Sequence, residues 1–363
     1  MKNFVAMALG TIFALSVSTR DCKAAAIAFI ANNGDFNTGP SWSDGNVPTN
    51  DGNEHFIQDS LTALFTSGST SVTSLIVSDT SPGTLTMSGG LLTVAGTGDS
   101  FAIGRSLGGN GVVNLTNNAV LRTGTSFVGQ RDLGVLNIGP TASVTSTGDW
   151  RVGQYGPSID AGLAANGLVN VQGTFSAVTL YLGVDDGDGE LRVSGTGSVS
   201  LSGQLVPNVN TTFPNRSALV HMIGSSASLS AHDLESENVP TQVRNRYLFQ
   251  ADSGGVSPIT LLDAINITEN RLEVDLTNFT MSAGSSLTLF NAAPNRIFGQ
   301  FAEVNIIGAN PSNFAVVYDQ GLGDIQLVNT VPEPSAALLL GIGMWAILAK
   351  RRARSKPHTS PLA

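Results

Sequence analysis

The chain has 363 residues, of which 41% are apolar and 12% charged, with a formal net charge of −9. That length holds about two domains, and the apolar content excludes a disordered chain. Between Ile27 and Val331 lie ten arginines, no lysine and 25 acidic residues, a net charge of −15, which repels phosphate backbones and excludes nucleic acid as a partner.

Residues 1–26 read as a secretory signal peptide. Lys2 supplies the positive start, Phe4 to Val17 is an apolar run, and Ala24, Ala25 and Ala26 offer a small-residue cleavage site. The only cysteine, Cys22, lies in this segment, so the mature body has neither a disulfide framework nor a cysteine metal site.

Residues 27–71 are expected to form an N-terminal cap region. Here Trp42, Gly45 and Pro48 stand close together ahead of the first regular repeats. Trp42 suits a lid over the end of a β-stack; the functional alternative is a ring for stacking sugars. This opening resembles that of autotransporter-associated β-strand repeat proteins.

Residues 72–210 are repetitive, and such a period decides a fold before any single motif does. A Gly-x-apolar-x-apolar start occurs at Gly83, Gly111, Gly134, Gly167 and Gly189, followed by a second short strand and then an aromatic or Leu residue ahead of Gly104, Gly129, Gly153 or Gly183. One unit cannot bury its own apolar face, but stacked units form one continuous core. Alternation sends one face of each strand inward. The expected fold is all-β, a parallel β-solenoid with Thr, Ser, Asn and Arg outside; an antiparallel sandwich is the alternative for short, evenly spaced strands. Residues 211–330 remain β-like without the repeat. They read either as a second β-rich region or as the capping end of the solenoid.

Residues 331–354 open with Pro332, Glu333 and Pro334, which admit no helix. The uncharged run 336–349 comes next, then Lys350, Arg351, Arg352 and Arg354, with residues 355–363 as a tail. Fourteen helical residues span about 21 Å, less than the ~30 Å hydrocarbon core. Basic side chains can snorkel across that mismatch, and the positive-inside rule places them in the cytoplasm with the body outside. A single transmembrane helix is therefore expected over 336–349, and a buried core helix is the alternative. This stretch resembles the C-terminal sorting signal of PEP-CTERM proteins. The resemblance implies an exported chain held first at the inner membrane, then processed by an exosortase for the cell surface or extracellular matrix. It also implies a link to exopolysaccharide and biofilm.

Catalytic motifs are missing from the sequence: there is no GxSxG, HExxH or P-loop, and the four histidines show no metal-ligand spacing. Asp185, Asp186, Asp188 and Glu190 alternate in a Gly-rich turn and form a candidate Ca²⁺ site, against which stands a plain solvated turn between coils. The expectation is a non-enzymatic surface or matrix protein without a cofactor. A carbohydrate-active β-helix enzyme and an adhesin or ice-binding module are the alternatives.

Overall fold

The glycine-led strands stack in one parallel sheet. Gly83, Gly111, Gly134, Gly167 and Gly189 are successive Cα partners along it. The computed structural model describes residues 25–155, 166–185, 187–209, 218–235, 245–330 and Lys350. Successive coils contribute strands to three sheets, each of eleven strands among the described residues. The first sheet runs from Ala26–Ala28 to Ile297–Phe298, the second from Gly34–Asp35 to Glu303–Ile307, and the third from Ser69–Val72 through Ser286–Asn291 to the outermost strand Phe314–Asp319. Pairing between coils is parallel throughout, so this is a β-solenoid and not an antiparallel sandwich. Among the described residues no helix is long and apolar enough to cross a membrane; the helix expected over 336–349 lies outside them.

Alternation builds the core. Leu85 and Met87, Val113 and Leu115, Leu136 and Ile138, Val169 and Val171, and Leu191 and Val193 are all buried and stack coil upon coil. The coil closes where the first sheet hands over to the second. At that corner Gly129 and Gly153 have φ of +71° and +70°. That is the left-handed region where a Cβ is strained, and a Cβ on Gly153 would overlap the carbonyl oxygen of Asp188.

Two features depart from the sequence reading. Phe127 does not repeat the role of Phe101. Ser126 is the Cα partner of both Phe101 and Trp150, while Phe127 pairs with Ala102 and Arg151. Phe127 therefore faces outward, buried with Arg151 stacked over its ring at 5.5 Å. Arg105 covers Phe56 on the same sheet at 5.2 Å. The sheets also cross both boundaries drawn at 71 and 210. Asp188–Ser194 pairs with Ala218–Ile223, which pairs with Arg246–Gln250, then Arg271–Asp275, then Glu303–Ile307. The glycine column ends because Ala218 takes the place of Gly189. Inward alternation persists without it, in Val220 and Met222, Tyr247 and Phe249, and Leu272 and Val274.

Both ends are capped. Trp42 is 1% exposed, edge-on to Phe29 at 5.1 Å and to Phe36 at 5.0 Å, and its Nε1 donates to the Phe36 carbonyl at 2.8 Å. At the other end Phe314–Asp319 and Asp324–Asn329 form a hairpin that pairs antiparallel with Ser286–Asn291. The backbone N–H of Phe301 donates to the Tyr318 hydroxyl at 3.1 Å, joining this hairpin to the last coil.

Candidate functional site

The outer face of the second sheet carries the most ordered polar array. Asn114, Asn137 and Asn170 occupy one outward column on successive coils. Asn137 Nδ2 donates to Asn114 Oδ1 at 2.8 Å, and Asn170 Nδ2 donates to Asn137 Oδ1 at 2.7 Å. The amides thus point the same way, and the ladder ends on the buried Oδ1 of Asn170, which has no partner. Arg192 fills the same column on the next coil. Beside this column runs a groove of about 530 Å³ lined by the three asparagines, Gln172 and Arg192. Amides there offer both donors and acceptors to hydroxyls, and a guanidinium offers a fork to a carboxylate.

Further along the same sheet the polar array becomes ionic. Arg192 pairs with Glu190 at 2.7 Å; Arg246 and Arg271 each reach Glu273 at 2.8 Å; Arg271 also lies 3.5 Å from Glu303. His221 sits 4.0 Å from Glu190. Burial, together with the charge of Arg192, pushes the imidazole below its ordinary value, so at neutral pH this contact is polar rather than ionic. Glu190 and Glu273 of this face are thus committed to arginines.

Among the described residues, Asp185, Asp188 and Glu190 of the candidate calcium set form no metal-holding group. Asp185 lies in the turn after Leu180–Val184, where Gln154 Nε2 donates to its Oδ2 at 3.4 Å. Asp188 opens the strand Asp188–Ser194, Glu190 turns to Arg192 on the sheet face, and Asp186 lies outside the described residues. Among the described residues, the group that does bring ligand atoms within 4.8 Å of one another is His232, Asp233 and Asp263. Sequence spacing hides it, because His232 and Asp263 belong to adjacent coils. Its carboxylates already have partners: Arg296 forks onto Asp263 at 2.7 and 3.2 Å, His232 Nδ1 lies 2.8 Å from Asp233 Oδ2, and the Ala264 N–H donates to Asp233 Oδ1. Trp42, with its ring buried, presents no face to a sugar. His55 is buried against it, with ring centroids 5.4 Å apart.

The chain leaves the solenoid at Thr330, whose N–H donates to the Asn313 carbonyl at 2.7 Å. Pro332, Glu333, Pro334, Arg351, Arg352 and Arg354 lie outside the described residues, and Lys350 is exposed. Residues 330–353 match the family model of the PEP-CTERM protein-sorting motif. The chain carries a PEP-CTERM motif. The match begins at the residue that follows the strand Asp324–Asn329, the last among the described residues. A PEP-CTERM motif implies an exported protein handled by an exosortase. No curated protein and no solved structure matches the chain, so the solenoid rests on its own strand pairing.

Proposed function

We propose that the chain is an exported, non-enzymatic surface or matrix protein whose solenoid lies along extracellular polysaccharide. Residues 1–26 direct export, residues 336–349 hold the chain in the inner membrane, and exosortase processing near Pro332, Glu333 and Pro334 hands it on. The sorting motif at 330–353 carries this reading. The body supports it in two ways. Its charge of −15 with no lysine suits solubility outside the cell. The groove beside the asparagine column presents amides and one arginine rather than a free acid–base pair, since Glu190 and Glu273 are engaged by Arg192, Arg246 and Arg271.

The test is co-sedimentation of the full chain with matrix polysaccharide from an exosortase-bearing host, with a reducing-end assay on the same sample. The expected result is co-sedimentation that weakens in Asn137→Ala together with Arg192→Ala, without new reducing ends. Release of reducing ends would make the protein a carbohydrate-active enzyme, and failure to co-sediment would end the matrix reading.

A further inference from the structure

The two ends of the solenoid differ in what they show to their surroundings. At the N-terminal end the cap aromatics Phe29, Phe36 and Trp42 are all at most 1% exposed, and among the described residues the large apolar side chains in the open there are two, Ile30 at 56% and Val47 at 40%. At the C-terminal end large apolar side chains stand in the open: Phe298 at 48%, Val304 at 43%, Ile307 at 39%, Val317 at 42% and Leu322 at 62%. These five belong to the last strands of all three sheets and to the turn of the capping hairpin. They therefore ring the end of the stack instead of striping one side. Phe314–Asp319 is the outermost strand of its sheet, so Val317 stands beyond the last complete coil. Of the charges nearby, Glu303 pairs with Arg271 and Asp263 with Arg296, while Asp319 and Asp324 of the hairpin accept from the Leu322 N–H and the Asn291 amide.

The length of chain beyond the last strand says what meets this end. Five residues, 331–335, separate Thr330 from the apolar run. Fully extended they reach about 17 Å, and the headgroup layer takes up roughly 7 Å of that on one side of a bilayer. Eleven strands at about 4.8 Å make a body roughly 50 Å long, so the short link holds the C-terminal end near the lipid and leaves the N-terminal cap far from it.

We infer that the C-terminal end of the solenoid is a lipid-contacting surface, seated on the headgroup layer of the outer leaflet through Phe298, Val304, Ile307, Val317 and Leu322. The solenoid thus stands upright on the membrane while it is tethered. This orientation depends on the membrane-held intermediate proposed for residues 336–349. Burial of exposed apolar area at the interface supplies the attraction.

The full chain carrying Trp345→Phe, which removes the tryptophan of the apolar run, is reconstituted in phosphatidylcholine–phosphatidylglycerol vesicles with brominated acyl chains. Tryptophan is then introduced by Phe298→Trp, by Val317→Trp or, at the opposite end, by Ile30→Trp. Emission from the first two is expected to drop relative to unbrominated vesicles, while Ile30→Trp and the buried Trp42 and Trp150 stay unquenched and report that the fold is intact. A chain that resists carbonate extraction but shows no quenching at Phe298→Trp and Val317→Trp overturns the docking and leaves the tether standing. A chain extracted by carbonate overturns both. A dimer in detergent that Phe298→Ser or Val317→Ser dissociates, without quenching in vesicles, assigns this end to a second copy and also overturns the proposal.

Discussion

Phe101 and Trp150 belong to coils that are not neighbours, yet their ring centroids lie 6.0 Å apart in the core. The intervening coil places Ser126 between them in the same column, fully buried, with its hydroxyl donating to the Gly124 carbonyl at 3.0 Å. A small residue makes room for two large ones, so enlarging it should overpack the stack. Ser126→Leu is expected to cost about 1–3 kcal/mol. Trp150 Nε1 is buried without a partner, so Trp150→Phe should be far milder than Trp150→Ala, which is expected to cost about 3–5 kcal/mol. Urea unfolding followed by circular dichroism orders the three variants; Trp150→Ala as mild as Trp150→Phe would contradict this packing.

Gly153→Ala should be destabilising despite adding one methyl group. A non-glycine residue at positive φ costs about 1–3 kcal/mol, and here the Cβ also meets the Asp188 carbonyl. Thermal melting should show the loss. By contrast, Gly98→Ala, with a similar φ of +74° but nothing within 4 Å of the added Cβ, should lose less.

Glu273 is 4% exposed and bridges Arg246 and Arg271. Removing Glu273 leaves Arg246 and Arg271 without their shared carboxylate, but both are about a third exposed and Arg271 keeps Glu303, so Glu273→Ala should cost about 1–3 kcal/mol. Glu54→Ala, at a half-exposed pair with Arg105, should cost under about 1 kcal/mol. Equal effects in denaturant titrations would refute the distinction.

Acid should weaken the fold through Asp79. Burial alone would raise its carboxyl, but hydrogen bonds from Arg105 and Ser106 at 3.0 and 2.6 Å hold it below the ordinary 3.8. A depressed carboxyl contributes stability that is complete above its unfolded value and is lost as pH falls through the folded one. Melting temperature should thus be insensitive to Asp79 between pH 5 and 7, within roughly the range where both states are ionised, and fall below about pH 4. Asp79→Asn should start less stable and show a shallower acid limb; an unchanged limb would remove Asp79 from the account.

Sorting should separate into two steps. Pro334→Ala is expected to leave an uncut, membrane-bound chain in an exosortase-bearing host. Leu339→Asp, at about 3 kcal/mol against insertion, should release unsorted protein to the periplasm. Cell fractionation with an antibody to the solenoid reads both; if each variant fractionates like the parent, residues 331–354 are not the operative signal.

What the sequence determined by itself was local. Strand alternation, the glycine starts at 83, 111, 134, 167 and 189, and the Pro-Glu-Pro segment with its apolar run and basic cluster are all contiguous patterns, and a pattern of period two or a hydrophobic length can be read without knowing any partner. Tertiary structure decided whatever depends on which coil lies on which. The stack continues through 218–307 although glycine gives way at Ala218, because inward alternation and not the corner residue carries the core. Phe127 points outward because it stands two residues before its corner glycine, Gly129, where Phe101 stands three before Gly104, and one residue along a strand reverses a side chain's face. The asparagine ladder, the Glu273 ion group and the His232, Asp233 and Asp263 cluster each join adjacent coils some thirty residues apart. Their assembly is set by the length of every intervening loop, which no short window of sequence contains.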